Sequence, residues 1–166
     1  MAQQLAPLNA ERLTPAILAF YRTADAEALS SCADVDQGLA ARLIEAARSS
    51  TTLPELFDKA ATKRYTTARL RRAVLFGLCG VRPEHLRTPP AYVRLLAASR
   101  AGCEYLSAIR KVCPLPILTK PSDVPSSLEA QRQRAIEERL EALVTLAYPE
   151  PRAASYLLKQ HPTIEK

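Results

Sequence analysis

The spacing of apolar residues in the first third of the chain predicts several amphipathic helices separated by short polar breaks. Each predicted helix begins near a residue that can cap it. A Thr-Leu-Pro-Glu stretch at 52–55 forms a capping box with proline inside the first turn. The predicted helices cover 10–23, 25–31, a longer segment capped by Asp34, and 52–61.

The next predicted helix begins at Thr66 or Thr67, ends near Cys79, and is followed by a glycine suited to a helix terminus, Gly80. Its second half, residues 73–79, is apolar on every side. Because a helix that is apolar all round is usually buried, we expect it in the middle of the domain.

Downstream, short apolar runs alternate with a helical pattern: a strand over 92–96, a helix over about 100–112 and a strand over 115–119. Strands joined by a helical crossover are parallel. A long helix then runs to about residue 147, and its mixed charges are interpreted as a solvated face. The predicted fold is therefore mainly α, a single helical domain over 1–166 with a small two-stranded parallel β element around 92–119.

Basic residues gather where the central helix begins, with no acid among them: Lys63, Arg64, Arg69, Arg71 and Arg72. A helix N-terminus already carries partial positive charge, so cations there cost about 0.3–1 kcal/mol each. Free backbone N–H groups and guanidinium forks both suit phosphate, and the pattern indicates an anion-binding surface. Two alternatives stay open, a solvated rim and pairing with acids elsewhere in the chain.

The net charge of +6 is unevenly distributed. Residues 63–111 contain eleven Lys or Arg and two acids, a local charge of +9, so the remainder carries −3. A basic middle within an acidic frame indicates a polyanionic partner. With no membrane-type amphipathic helix evident, nucleic acid is favoured over lipid.

Catalytic and metal-binding signatures are absent from the sequence. It has no H-x-G-H or G-x-S-x-G motif, and its four cysteines lack metal-ligand spacing. We therefore expect no catalytic residue, no metal and reduced thiols. No apolar run reaches the roughly 20 residues of a membrane span, and no signal peptide is evident, so a cytoplasmic location is expected.

Several segments resemble a known family in the same order along the chain. They are Thr62-Lys63-Arg64-Tyr65-Thr66 with the following Arg69-Leu70-Arg71-Arg72, and the stretches 34–39, 90–96 and 114–121. Together, over roughly residues 10–148, they resemble the tRNA(Met) cytidine acetate ligase family. The resemblance implies an ATP-dependent enzyme that forms acetyl-adenylate and acetylates the wobble cytidine of elongator methionine tRNA.

The resemblance also implies how the enzyme is divided. In that family an N-terminal nucleotidyltransferase-like domain carries the H-x-G-H motif, which this chain lacks. We therefore expect this chain to be the C-terminal, tRNA-binding half, with no cofactor of its own. ATP and acetate would bind the absent domain, which would be a partner of this chain together with tRNA. Whether this chain alone is an enzyme stays open.

The expected nucleic-acid-binding residues are the five cations at the helix start, Tyr65 and Arg94. The cations would contact phosphates, with Arg94 in support. Tyr65 and Tyr92 would stack on an unpaired base, or instead pack against neighbouring helices. The alternative function is a non-catalytic helical domain that docks an acidic protein partner or its own catalytic domain.

Overall fold

A computed structural model describes residues 8–157 and 162–165 of the chain. Its contacts group into two compact units. The first comprises Met1–Arg87 and Leu143–Arg152, and the second comprises Thr88–Ala142 and Ala153–Lys166. The division into one domain thus stays a prediction, and each unit is described by itself.

The first unit is built from helices, which the structure places close to the predicted positions. After a 3-10 turn at Ala10–Leu13 they are α1 (Thr14–Thr23), α2 (Ala26–Ser30), α3 (Gln37–Ser49), α4 (Leu53–Ala60), α5 (Thr67–Cys79) and α6 (Pro83–Arg87). The apolar faces of α1 to α5 form a shared core, and its largest fully buried members are Tyr21, Leu39, Leu43, Leu56, Leu70 and Val74.

Helix caps follow the predicted chemistry with one exception. The Thr52 hydroxyl accepts a hydrogen bond from the backbone N–H of Glu55 at 3.3 Å, as the capping box predicts. Helix α3, however, is capped by Asp36, whose carboxylate accepts from the Leu39 N–H at 2.8 Å. The prediction that Asp34 caps it is wrong, because Asp34 has a left-handed backbone with φ 59°, whereas a cap residue is extended.

Helix α5 begins and ends as predicted. The Thr66 hydroxyl accepts from the Arg69 N–H at 3.4 Å, and Gly80 adopts φ 64°, the left-handed conformation that terminates helices. Its apolar half is buried at Ala73, Val74 and Gly77, but Leu75 is 43% exposed. Complete burial of this half is therefore not observed.

The second unit holds the short strands and most of the last two α-helices. They are the strands β1 (Val93–Arg94), β2 (Ala97–Ser99), β3 (Ile117–Leu118) and β4 (Thr163–Glu165), and the helices α7 (Arg100–Ile109) and α8 (Leu128–Val144), whose last two residues belong to the first unit. Strands β1 and β3 pair in parallel, with Val93 opposite Ile117. The predicted strand–helix–strand unit is confirmed, although both strands are shorter than expected.

A second parallel pair was not predicted. Strand β2 pairs with β4, placing Ala97 opposite Thr163 and Ala98 opposite Ile164. Alanine and serine favour strands weakly, so the 97–99 segment carries no strand signal of its own. The fold class is nevertheless confirmed: the protein is mainly α with short parallel strand pairs.

Candidate nucleic-acid interface

The five cations at the start of α5, here called the basic cluster, lie on the first unit: Lys63, Arg64, Arg69, Arg71 and Arg72. The loop that carries the first two is a tight turn. The Tyr65 N–H donates to the Thr62 hydroxyl at 3.0 Å, and the Thr62 N–H donates to the Tyr65 carbonyl at 3.1 Å. Both cations of this loop are exposed at its tip.

One carboxylate, that of Asp36, organises the cluster from the N-terminus of α3. Its Oδ2 forms ion pairs with Arg64 at 3.0 Å and Arg69 at 3.5 Å. Its Oδ1 accepts from the Tyr65 hydroxyl at 2.8 Å and from the Leu39 N–H. The hydrogen bond from Leu39, then that from Tyr65 and the nearby arginines, hold the pKa of Asp36 below its usual value.

Asp34 is the second acid of the cluster. Its carboxylate pairs with the Arg72 guanidinium, and its backbone carbonyl accepts from Arg69 at 3.2 Å. Asp34 is a non-glycine residue with φ 59°, a region that aspartate tolerates better than most side chains. Its short polar side chain therefore suits this left-handed bend, which carries the carboxylate that pairs with Arg72.

Two members of the basic cluster have no acidic partner in the part of the chain that the structure describes. Among the described residues no carboxylate lies within ion-pair distance of Lys63 or Arg71. The Arg71 guanidinium lies over the Phe57 ring, 5.9 Å from its centroid. Five cations against two carboxylates leave a surplus of three positive charges. The pairing alternative that the sequence left open is thus realised in part, and a positive surface remains.

Tyr65 lies inside the cluster rather than on its surface. Its side chain is buried, and the guanidinium carbons of Arg64 and Arg69 lie 5.3 and 5.1 Å from its ring centroid. The hydrogen bond to Asp36 is the main cause that raises the pKa of Tyr65. The Tyr65 ring therefore packs against these two guanidinium groups and supports them.

Arg94, the seventh expected site residue, belongs to the second unit. Its guanidinium pairs with Glu141 and donates to the Leu157 carbonyl at 3.3 Å. Tyr92, two residues earlier in the chain, is buried, and its hydroxyl donates to Glu137 at 2.8 Å. The face of α8 that was interpreted as solvated thus carries carboxylates that hold β1.

Sequence reasoning missed the role of Asp34 and Asp36. It noted both within the 34–39 segment, but only as a cap and as part of a resemblance. The acids precede their arginine partners by 28 to 38 residues. No local periodicity connects positions so far apart, and the one available signal was an acidic segment and a basic segment occurring in order.

Among the described residues, no group of three or more metal-ligating side chains comes together. The helices that the structure describes are also too short or too polar to cross a membrane.

Comparison with known proteins identifies relatives. The tRNA(Met) cytidine acetate ligase of Acetivibrio thermocellus is 31% identical over 147 residues, which are 86% of this chain and 35% of that protein. The enzyme of the same name from Thermosipho melanesiensis is 31% identical over 120 residues, 70% of this chain and 28% of that protein. The chain thus spans about a third of the length of these curated relatives.

A solved structure shares the fold. Thermotoga maritima TmcAL, crystallised with alpha-thio ATP, superposes with a TM-score of 0.84 over 96% of this chain and 42% of that chain, at 24% identity. The apo form of the same protein gives a TM-score of 0.80. At this identity the likeness establishes the fold alone.

A model of the HIGH nucleotidyl transferase family matches residues 1–157. The expectation that the nucleotide-binding part of the enzyme is absent from this chain is wrong, because this match covers nearly the whole chain. One missing four-residue motif was too narrow a basis for that expectation. Neither a purely C-terminal role nor a separate N-terminal partner domain is supported. The chain belongs to the HIGH nucleotidyl transferase family.

Proposed function

We propose that this chain binds tRNA through the basic cluster, as part of an ATP-dependent ligase that acetylates the wobble cytidine of elongator methionine tRNA. The relatives named tRNA(Met) cytidine acetate ligase support the reaction. The observation that carries RNA binding is the surplus of three positive charges at the start of one helix. Such a surface attracts phosphate irrespective of base sequence.

The members of the cluster contribute differently. Arg64 and Arg72, whose side chains are 72% and 54% exposed, are placed to contact phosphates at the surface. Lys63 and Arg71 can contact phosphates without first breaking an ion pair with a carboxylate of the described residues. Arg69 is 30% exposed and is placed to contact phosphate beside Arg64, while the buried Tyr65 supports both arginines. Arg94 stays in the proposal as a second-unit contact, where a phosphate would compete with Glu141.

The test measures binding of elongator methionine tRNA to the purified chain at several salt concentrations. Phosphate contacts make log K fall linearly with log salt. Arg71→Glu should weaken binding for all RNA sequences alike and reduce the salt slope by about 1. Arg48→Glu is the matched control, because Arg48 is exposed on α3 of the same unit and has no ion pair among the described residues. Absence of tRNA binding by the wild-type chain at low salt overturns the proposal.

A second candidate function is the binding of a nucleoside triphosphate by the same basic cluster. The family match and the alpha-thio ATP of the Thermotoga maritima structure favour it. The five cations fit a polyphosphate, whereas the buried Tyr65 ring does not offer a face to adenine. The test compares how strongly ATP and inorganic triphosphate, at equal concentration, displace bound tRNA. Stronger displacement by ATP supports this candidate, whereas equal displacement indicates a surface that binds polyanions in general.

A further inference from the structure

The two oxygens of Asp36 face different groups. Oδ1 accepts from the Leu39 N–H and the Tyr65 hydroxyl, each at 2.8 Å, and both donors belong to the folded framework of the first unit. Oδ2 faces the guanidinium groups of Arg64 and Arg69. The carboxylate is thus oriented by one oxygen while the other holds two cations.

Asp36 brings together cations from two different segments. Arg64 lies in the loop before α5, and Arg69 lies in the first turn of α5. Both guanidinium groups also lie over the Tyr65 ring, whose hydroxyl is bound to the same Asp36. Arginine side chains lose considerable rotamer freedom when they bind a ligand, so arginines that are already ordered lose less.

We propose that Asp36 is a positioning residue that holds Arg64 and Arg69 side by side in the arrangement that meets RNA phosphates, and that Asp34 does the same for Arg72. This inference rests on the proposed RNA-binding function. It assigns to two acids a role that supports the binding of a polyanion, although their own charge repels it.

Because the aspartates are negative like RNA, the direction in which tRNA affinity changes on their removal tests the inference. If the aspartates only neutralise the surface, removing a negative charge tightens RNA binding. If they position the arginines, the same removal weakens binding although the surface becomes more positive. The two roles therefore predict opposite changes from one substitution.

Asp36→Asn is the main variant. Asparagine caps helices about as well as aspartate, and its carbonyl oxygen can still accept from Leu39 and Tyr65, so the fold should persist. Only the charged oxygen that holds the two guanidinium groups is lost. We expect tRNA binding to weaken about tenfold and the salt slope to become shallower, with the helical circular dichroism signal of the folded chain retained.

Asp58→Asn is the matched control. Asp58 is exposed on α4 of the same unit, and the structure records no hydrogen bond or ion pair for it among the described residues. The substitution changes the net charge by the same amount, so tRNA binding should stay equal or become slightly tighter.

Two further variants keep the inference testable if Asp36→Asn unfolds the chain. Asp34→Asn removes the partner of Arg72 without touching the α3 cap, and asparagine also tolerates positive φ. It too should weaken binding. In an Arg64→Ala background the effect of Asp36→Asn should shrink, because part of it acts through Arg64.

The outcomes separate the inference from the proposed function. If Asp36→Asn and Asp34→Asn bind tRNA as tightly as Asp58→Asn or more tightly, the positioning role is overturned and the RNA-binding function stands. If the wild-type chain binds no tRNA at low salt, the proposed function fails and the positioning role fails with it.

Discussion

Gly77 of α5 lies directly beneath the hydroxyl group of Tyr21 of α1. A Cβ atom added to Gly77 would lie 2.3 Å from that hydroxyl oxygen, closer than any real Cβ contact. The hydroxyl in turn donates to the Val74 carbonyl at 3.0 Å, and the Tyr21 side chain is fully buried. The glycine therefore permits the closest approach of these two helices.

Gly77→Ala should destabilise the first unit by about 1–3 kcal/mol, because the buried tyrosine has no room to move aside. Chemical denaturation followed by circular dichroism measures the loss. Gly102→Ala in α7 is the control, since a Cβ atom there meets Ser99 Oγ at an ordinary 3.4 Å. Adding Tyr21→Phe removes the clashing oxygen and should recover part of the loss; additive effects would contradict this account.

Arg94 and Glu141 of the second unit should be strongly coupled. Their side chains are only 16% and 15% exposed, so Arg94→Ala leaves a largely buried carboxylate without its partner. We expect a loss of about 3 kcal/mol in the free energy of unfolding. The double variant Arg94→Met with Glu141→Leu should lose less than Arg94→Ala alone, as urea denaturation can measure. A larger loss in the double variant would show that the pair itself stabilises the unit.

Asp36 should contribute stability that depends on pH. Its pKa is lowered in the folded state, mainly by the hydrogen bond from Leu39, so its contribution is present above its ordinary value of 3.8 and is lost as the pH falls through the lower folded value. The difference in unfolding free energy between wild type and Asp36→Asn should therefore shrink as the pH falls below about 3.8. Denaturation curves at pH 7 and pH 3 test this. A constant difference would contradict it.

Tyr65 should report the state of Asp36 directly. The hydrogen bond to Asp36 is the main cause that raises the pKa of Tyr65, so Asp36→Ala, which removes the acceptor, should lower that pKa towards its ordinary value of 10.0. NMR titration of ring-labelled tyrosine measures it, and Tyr65→Phe assigns the signal. Asp58→Asn should leave the Tyr65 titration unchanged. An unchanged pKa of Tyr65 in Asp36→Ala would mean that the hydrogen bond is absent in solution.

Much of the helical framework could be predicted because its signals are local. The Thr52 cap, the Thr66 cap and the Gly80 terminus each depend on residues within one or two turns. The β1–β3 pair was also predictable, since an apolar run on either side of a helical pattern leaves few topologies.

The candidate site was predictable only in its cations. The basic cluster lies within ten residues of sequence, so its charge is visible without a structure. Its acids could not be assigned, because Asp34 and Asp36 reach it only when the segment before α3 lies beside the start of α5. The same holds for Tyr65, for which the sequence left base stacking and packing against neighbouring helices both open, and whose side chain is buried among its neighbours.

The amino-acid sequence by itself determined the helices, most of their caps and the concentration of positive charge, since propensity, periodicity and net charge act over a few residues. Tertiary structure alone decided which cations are paired and which tyrosines are buried. It also decided that Glu137 accepts from Tyr92 and that Glu141 pairs with Arg94. Those outcomes depend on distances between segments far apart in the chain, and such distances are set by the packing of the core.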